Sequence, residues 1–255
     1  MSVQLDDITI KIAGKALSDD ELGKLVSFKV SFSNGTAAMA KINLIDDNFT
    51  IQEQATFSIG KEIDISISSD DKDTIVFKGE IARIDYKFEA SESDSLQIIC
   101  YDGLYKVARE YHSRAFLESK ISAVASTMAG ESGLSVKVDA TTTKHEHIYQ
   151  NNQSNLEFLT MYAKRLGYEI NVVEGKLYFT KAGYQSKVSS SIVLEWGDNL
   201  TQFDAKIDVS DVLVEVTVNS WDTTKKENVE SIVKAGAESK IGAVKTLGTS
   251  LAKSS

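Results

Sequence analysis

Residues 149–183 contain the pattern that most restricts the fold, a capped helix followed directly by a hairpin. Ser154 and Glu157 have the spacing of a capping box, in which the hydroxyl and the carboxylate each accept a hydrogen bond from a free amide at the helix start. Gly167 stands where a left-handed residue would end the helix. The pattern predicts an amphipathic helix of about three and a half turns. Its apolar stripe consists of Leu156, Leu159, Ala163 and Leu166, widened by Phe158 and Tyr162.

A two-residue turn predicts a hairpin directly after this helix. Apolar and polar residues alternate before and after Glu174-Gly175, a pair that suits such a turn. Because the helix and the hairpin are both amphipathic and adjacent, we expect the apolar stripe of the helix to pack on one face of the hairpin. The alternating apolar residues are Tyr168, Ile170 and Val172 before the turn and Leu177 and Phe179 after it.

The composition is that of a globular protein that does not enter a membrane. The 255 residues are 42% hydrophobic and 25% charged, enough for one large or two smaller cores. No apolar run approaches the roughly 18 residues that span a bilayer. Residues 1–10 contain acids where a signal peptide carries a basic region, so we expect synthesis in the cytoplasm and no direct membrane insertion by this chain.

The charge of the chain argues against nucleic acid as a partner. Its formal net charge is −9 and its pI is about 5.0, whereas phosphate binding needs a basic surface. The acidic clusters fall between strand-like segments, where aspartate favours turns, so we expect them in solvated loops. The single cysteine, Cys100, lies in an apolar run and is expected to be a small buried hydrophobe. The acidic clusters are Asp6-Asp7, Asp19-Asp20-Glu21, Asp46-Asp47 and Asp70-Asp71-Asp73.

Alternation of apolar and polar residues runs through most of the first hundred residues and predicts half-buried strands. Asn34-Gly35 is a turn signal, and a bulge is expected near Gly79. About seven strands with short polar connections indicate a β-barrel or sandwich. The alternating residues are Ile8, Ile10 and Ile12; Val26, Phe28, Val30 and Phe32; Ile42 and Leu44; Ile63, Ile65 and Ile67; Ile75 and Phe77; Ile81, Ile84, Tyr86 and Phe88; and Leu96 and Ile98.

The apolar period changes from two to 3.6 at Asp102, so residues 102–185 are predicted to form a small α+β domain. Asp102 can cap a short helix, and Gly130 is expected to end a second one. A strand then leads into the capped helix. The apolar residues are Leu104, Val107 and Ala108 in the first helix, Ile121, Val124, Ala125 and Met128 in the second, and Leu134, Val136 and Val138 in the strand.

The period of two returns after this domain and predicts part of a second β domain over residues 186–225. Its strand-like segments lie at 191–196, at 201–209 and from Val212 to Trp221. For Trp196 and Trp221 we favour core packing over a barrel plug or a subunit contact. Residues 226–255 are small and polar with no strong period, so we expect them to be weakly structured.

The sequence predicts no catalytic, cofactor-binding or metal-binding residues. His145-Glu146-His147 is the only local cluster of metal-ligand types, and it lacks the third ligand of a zinc site, so a solvent-facing strand is favoured. His112 stands alone, and we expect a structural or surface role. Neither Gly14-Lys15 nor Gly60-Lys61 has the preceding glycine of a phosphate loop. A glycosidase pair of carboxylates stays open, because two acids can meet from distant positions.

Several motifs resemble one protein family in their order and spacing. The strongest run is Q-x-x-Q-S-x-L-E-F-L, A-K-R-L-G-Y and G-K-L-Y-F within residues 149–183. It is joined by F-K-G-E-I around Gly79, Y-D-G-L-Y-K-V at 101–107, W-G-D-N-L-T-Q-F-D from Trp196 and V-x-V-N-S-W-D ending beside Trp221. These motifs, over roughly residues 3–225, resemble the tail-hub proteins of contractile injection machines, which include the phage late-control D proteins and the VgrG proteins of type VI secretion.

The resemblance implies a mainly β, α+β fold in which two tube-like antiparallel β-barrel domains flank a small α+β insert. The implied domains are 1–101 (first barrel), 102–185 (insert), 186–225 (part of the second barrel) and 226–255 (tail). Family members usually continue with strands that close the second barrel, and often with a spike. This chain stops earlier, so we expect either a truncation or a separate protein that supplies the remainder.

The implied function is that of a structural hub without enzymatic activity. Three chains would form a homotrimeric ring of pseudo-sixfold symmetry that joins the hexameric inner tube and the baseplate to the central spike of a phage-tail-like particle. The implied partners are the inner tube protein, the spike tip and baseplate proteins. Two alternatives stay open, a tail-associated cell-wall hydrolase and a free-standing β-rich receptor-binding or carbohydrate-binding protein.

Overall fold

The computed structural model describes residues 8–46, 51, 56–69, 72–88, 94–183, 195–197, 200, 202, 204 and 215–234. The chain divides into two compact units, Met1–Ala182 and Gly183–Ser255. The described part is mainly β with few helices, as predicted. Its strands are β1 (Ile8–Ile12), β2 (Lys15–Ala16), β3 (Leu25–Ser31), β4 (Met39–Ile45), β5 (Glu62–Ser69), β6 (Lys72–Lys87), β7 (Ser95–Tyr101), β8 (Tyr111–Lys120), β9 (Ser135–Val138), β10 (Lys144–Ser154), β11 (Tyr168–Val173), β12 (Lys176–Lys181), β13 (Glu215–Asp222) and β14 (Glu227–Lys234). Its helices are α1 (Asp19–Gly23), α2 (Leu104–Ala108), α3 (Ile121–Glu131) and α4 (Asn155–Leu166).

Seven of the described strands form one antiparallel sheet in the order β2-β1-β5-β6-β7-β4-β3. The inward side chains of its strands meet in a single hydrophobic cluster. Residues of β1, β4, β5, β6 and β7 are buried in this cluster, which is the core of the sheet. The period of two in the sequence explains the burial, because alternate residues point to the same face. Among the most buried are Ile10, Ile12, Ile42, Ile63 and Ile98.

One strand departs from its predicted face. The expectation that Val26 shares a face with Phe28 and Val30 is wrong, because the pairing with β4 shifts register between Leu25 and Ser27. The shift turns Val26 outward, where it is 61% exposed, while Phe28 and Val30 pack against the core. A bulge moves every following side chain to the other face, which a single strand's pattern does not reveal.

The irregularity predicted near Gly79 is confirmed, since the register of β6 shifts at Val76 against β5 and at Ala82 against β7. Gly79 itself marks a close approach of two backbones, which was not predicted. A Cβ at this position would overlap the carbonyl oxygen of Tyr101 and lie 2.8 Å from its carbonyl carbon.

Two acidic clusters are not in solvated loops. Asp19, Asp20 and Glu21 form the first turn of α1, where carboxylates are stabilised by the helix dipole, and Ser18 and Glu21 form a capping box. Asp46 is buried, and both its carboxylate oxygens accept from the Ile51 amide, at 3.0 and 3.1 Å. The cluster Asp70-Asp71-Asp73 is described only at Asp73, which lies in β6 and accepts from the Ser68 hydroxyl at 2.5 Å. The acids Asp6, Asp7, Asp47, Asp70 and Asp71 lie outside the described residues.

Helix α4 has the caps that the sequence predicts. The Glu157 amide donates to the Ser154 hydroxyl at 3.1 Å, and the Ser154 amide donates to the Glu157 carboxylate at 2.9 Å. Gly167 ends the helix with a left-handed φ of 66°. These two signals are local, so they can be recognised without knowledge of the rest of the fold.

The apolar stripe of α4 packs on the hairpin of β11 and β12, as predicted, but its centre is displaced. Phe158, Leu159 and Ala163 are buried, whereas Leu156 lies at the edge and Leu166 is 39% exposed. Leu166 is the last helical residue, and the chain turns away directly after it. The stripe belongs to a second hydrophobic cluster, which also contains Ile170, Leu177 and Phe179.

The hairpin turns at Glu174-Gly175, with positive φ angles of 50° and 75°. These angles suit the tight turns that match the twist of paired strands. β9 adds to β12 in parallel, which gives a sheet in the order β11-β12-β9. Because parallel strands need a long crossover, β10 and α4 lie between β9 and this hairpin in the chain.

The end of α3 corrects one expectation, and the strand before α3 was not predicted. Gly130 lies inside the last turn of α3, and the left-handed residue is Gly133, with a φ of 71°. The buried face of α3 contains Ile121, Val124, Ala125 and Met128, as predicted, together with Ala129. β8, which precedes α3, was not predicted, because its sequence YHSRAFLESK lacks a clear alternation.

The described part of the second unit contains an antiparallel hairpin of β13 and β14. The Asp222 carboxylate accepts from the amides of Thr224 and Lys225, at 2.9 and 3.0 Å, and so orders the turn. The expectation that residues 226–255 are weakly structured is therefore wrong for β14. Two predicted strand segments, at 191–196 and 201–209, lie mostly outside the described residues. Val212, Val214 and residues 235–255 lie wholly outside them.

The domain boundaries stay predictions. The predicted boundary at 101/102 lies inside the first compact unit and coincides with the change from the first hydrophobic cluster to the second. The predicted boundary at 185/186 lies close to the division between the two units.

Candidate assembly surface

The residues with metal-ligand chemistry lie apart from one another. Within the described ranges, no group of three or more His, Cys, Asp or Glu residues could hold a metal ion. His145 and His147 lie opposite Ser119 and Leu117 on one face of the β8–β10 pair, and His147 stacks on Tyr149 with ring centres 6.2 Å apart. The Nε2 of His112 lies 3.8 Å from the carboxylate of Glu110.

Cys100 is a buried hydrophobe, as predicted. It is fully buried in β7, and burial raises the pKa of its thiol from 9.0 to about 12. Because the thiolate is the nucleophilic form, this cysteine is not set up for covalent chemistry. In the part of the chain that the structure describes, no helix combines the length and the hydropathy needed to cross a bilayer.

The polar residues before α4 form a partly buried junction. Arg114 of β8 binds the Glu131 carboxylate through two nitrogens, at 2.6 and 2.8 Å, and its Nε donates to Gln150 at 2.9 Å. The Asn155 side chain accepts from Arg114 and from Gln150, both at 3.0 Å. The Gln150 side-chain amide also donates to the Gln153 carbonyl at 2.9 Å. These contacts join β8, α3, β10 and α4.

The polar residues of the Q-x-x-Q-S-x-L-E-F-L motif therefore have a structural role, because their side chains bond to other parts of the protein and not to a ligand. Gln150 and Asn155 are buried, so their polar atoms need partners inside the protein. The hydrogen bonds and the charge of Arg114 lower the pKa of Glu131, which keeps that carboxylate ionised. Sequence analysis missed the junction because it missed β8, which supplies Arg114.

The hairpin of the second unit has one exposed apolar face. The register places Val216 opposite Val233, Val218 opposite Ser231 and Ser220 opposite Val229, so four valines share a face. We call it the valine face; its members Val216, Val218, Val229 and Val233 are 42–57% exposed. A two-stranded hairpin is at best marginally stable in water on its own. We therefore expect another protein surface to pack against the valine face and exclude water from it.

Both tryptophans are exposed. Trp196 is 73% exposed, and Trp221 is 57% exposed on the face of β13 opposite the valine face. The favoured interpretation that these side chains pack in a core is therefore wrong. Large exposed aromatic side chains are typical of contact surfaces.

A cleft of 410 Å³ lies within the first unit, between β6 and β11. We call it the β6–β11 cleft. Its apolar wall includes Phe32, Ile75 and Val173, which are 66%, 45% and 52% exposed. Glu169 and Glu174 also belong to its lining. No sequence pattern indicated this cleft, because its walls come from distant parts of the chain.

Comparisons with known proteins assign the family. The family model described as the Alg8 N-terminal domain matches residues 2–253. The chain belongs to the Alg8 N-terminal domain family. No match was found among curated proteins.

The fold of this Alg8 N-terminal domain is shared with solved tail proteins. The 43 kDa tail protein of prophage MuSo2 from Shewanella oneidensis has 14% identity and a TM-score of 0.66, with 97% of this chain and 76% of that chain covered. The tail protein from Neisseria meningitidis MC58 also has 14% identity and a TM-score of 0.66, with 92% and 69% covered. A type VI secretion component of E. coli, described as similar to the T4 bacteriophage tail proteins gp27 and gp5, has 12% identity and a TM-score of 0.52, with 69% and 50% covered. At these identities the similarity establishes a common fold.

Asp102 connects the two parts of the first unit in this Alg8 N-terminal domain. Its carboxylate accepts from the Leu104 amide at 3.0 Å, at the start of α2, and its own amide donates to the Ala38 carbonyl at 3.0 Å. Burial raises the pKa of the carboxyl from 3.8 to about 6, and hydrogen bonds from the backbone of Ala38 and Leu104 limit the rise. Between pH 3.8 and about pH 6, the folded chain therefore binds more protons at this carboxyl than the unfolded chain does. The stabilisation from the protonated form is complete below the unfolded pKa and is lost as pH rises through about 6.

Replacing Asp102 with asparagine should remove this pH dependence. We expect the free energy of unfolding of the variant, relative to the wild type, to rise by about 2–3 kcal/mol between about pH 4 and about pH 7, because one pKa unit corresponds to about 1.4 kcal/mol. Urea unfolding across this range measures it. Glu230→Gln, on exposed β14, is the matched control. If the wild-type and Asp102→Asn curves run parallel with pH, the burial assigned to this carboxyl is wrong.

Proposed function

We propose that this chain is a structural hub of a contractile phage-tail-like injection apparatus, without enzymatic activity. The observation that carries the proposal is the tail-protein fold, which extends over 97% of the chain in the Shewanella tail protein. The motif order described above supports a hub in particular. The hydrolase and the free-standing binder are not favoured by a specific feature of the described residues.

In this proposal three chains form a homotrimeric ring with pseudo-sixfold symmetry. Each chain contributes two β regions, 1–101 and 186–225, around the insert 102–185, so a trimer offers six similar β regions to a hexameric inner tube. The threefold end of the ring binds the spike tip, and the outside contacts baseplate proteins. No covalent bond is made or broken. The ring is stabilised by strand pairing and apolar burial between subunits, for which the valine face is the candidate surface.

The assembly state tests the hub role. Native mass measurement of the purified chain, followed by imaging of the assembled particle, should give a trimer at the junction of the tube and the spike. A stable monomer that joins neither a tube nor a baseplate would contradict the proposal. A hexamer would contradict the pseudo-sixfold arrangement while leaving a tail role intact.

A charge on the valine face should weaken subunit association. Val218→Asp places a carboxylate in an apolar contact, and we expect a loss of about 2 kcal/mol of association free energy per contact. Sedimentation equilibrium measures the change, and circular dichroism checks the fold. Asn219→Asp adds the same charge to the neighbouring residue on the opposite face and is the matched control. If Val218→Asp associates like the wild type, the valine face is not the subunit contact.

A further inference from the structure

The outer side of helix α4 borders a groove that the hydrophobic core does not use. The groove has a volume of 570 Å³ and lies between α4 and Gly35, which belongs to the turn between β3 and β4. We call it the α4 groove. Its helical residues stand four apart in two neighbouring rows, so they share one face of the helix. They are Leu156, Thr160 and Lys164 in one row and Glu157, Met161 and Arg165 in the other.

The floor of the α4 groove is apolar toward the start of the helix. Leu156 and Met161 are half-buried and pack against the second hydrophobic cluster. Gly35 leaves room above the helix, because a Cβ at this position would lie only 3.6 Å from the Thr160 methyl group. The Thr160 hydroxyl is buried and has no hydrogen-bond partner in the part of the chain that the structure describes. Buried polar groups normally have a partner, so this hydroxyl indicates that the groove is incomplete without a bound segment.

Two cations lie at the other end of the α4 groove. Among the described residues, neither Lys164 nor Arg165 forms an ion pair. The acidic residue of the described lining, Glu157, is already bonded, since one carboxylate oxygen accepts from the Ser154 amide at 2.9 Å and the other from the Tyr111 hydroxyl at 3.4 Å. Cations in a last turn suit the helix dipole by themselves. Here they also end an apolar groove, and so they complement a carboxylate on a segment bound there.

We propose that the α4 groove binds a segment of a partner protein in which apolar side chains are followed by aspartate or glutamate. The apolar side chains pack on Leu156 and Met161, and the carboxylates bind Lys164 and Arg165. Four to eight residues of helix separate the apolar from the cationic positions, which corresponds to about 6–12 Å. An extended segment covers that distance in about two to four residues. This inference is independent of the hub role, since it concerns a site within the first unit.

Three short fluorescent peptides test the proposal on the full chain by anisotropy at low ionic strength. The first has two leucines and, about three residues further along, two glutamates. The second has lysine in place of glutamate, and the third has serine in place of leucine. We expect the first peptide to bind at least about tenfold more tightly than either of the others, because only it offers both apolar side chains and carboxylates. Equal binding of the second or the third peptide, or no binding of the first, would overturn the proposal.

Charge variants locate the binding site. Lys164→Glu replaces an attraction with a repulsion and should weaken binding of the first peptide by at least about fivefold, and Lys164→Gln should weaken it less. Lys164 is exposed, so neither variant disturbs the core, and circular dichroism checks the helix. Lys15→Glu makes the same charge change on exposed β2 and should leave binding unchanged. Wild-type affinity in Lys164→Glu, or an equal loss in Lys15→Glu, would overturn the site.

Discussion

Replacing Leu159 with alanine is expected to lower the free energy of unfolding by about 2–5 kcal/mol. Leu159 is fully buried in the second hydrophobic cluster, where α4 packs on the hairpin of β11 and β12. The truncation removes buried methyl groups and leaves a cavity. The same cluster contains Phe158 and Phe179, which are themselves fully buried and have little room to move. Thermal or denaturant unfolding measures the loss.

The cap of the same helix supplies the comparison. Ser154→Ala removes the acceptor of the Glu157 amide, which costs about 1–2 kcal/mol. Ser154 is buried, which places the cost toward the upper end of that range. The order of the two effects is the prediction. If Ser154→Ala proves as harmful as Leu159→Ala, the packing assigned to α4 does not hold the helix.

Replacing Gly79 with alanine is expected to cost about 3 kcal/mol of unfolding free energy. The added methyl group would overlap the carbonyl of Tyr101 and the ring of Phe77, so β6 and β7 would have to separate. Backbone atoms of two paired strands cannot move aside as a flexible side chain can. Chemical denaturation with a fixed m-value measures the change.

Gly130→Ala is the matched control for Gly79→Ala. A Cβ at Gly130 would meet no heavy atom within 4 Å, and the residue lies inside α3. Alanine should therefore stabilise the chain by roughly 0.5–1 kcal/mol through helix propensity. A Gly79→Ala variant as stable as the wild type would mean that the two backbones do not approach as closely as described.

Sequence analysis predicted the elements whose signals are local. The caps of α4 lie within the helix ends, and the turn at Glu174-Gly175 needs only its own two residues. The alternation in β4 and β7 predicted their buried faces, because these strands pair without a bulge. In each case the physical cause of the structure lies in the segment itself.

The elements that were missed depend on distant partners. β8 has little pattern of its own and is stabilised by pairing with β10, which is more than twenty residues away in the chain. The β6–β11 cleft is formed by Phe32, Ile75 and Val173, which only tertiary pairing brings together. The close backbone approach at Gly79 was not predicted, because it depends on Tyr101 of a paired strand, more than twenty residues away in the chain.

The partly buried junction of Arg114, Glu131, Gln150 and Asn155 has a consequence for how this family can vary. Loss of Arg114 leaves the buried Gln150 side-chain oxygen without its donor inside the protein, so that substitution is expected to be costly. The remaining members keep other partners when one of them is lost, so the cost depends on which residue is replaced. The effects of substitutions at these positions are therefore not additive. Homologues that keep this fold should exchange the four residues together, and their covariation would record a contact among elements that lie far apart in the chain.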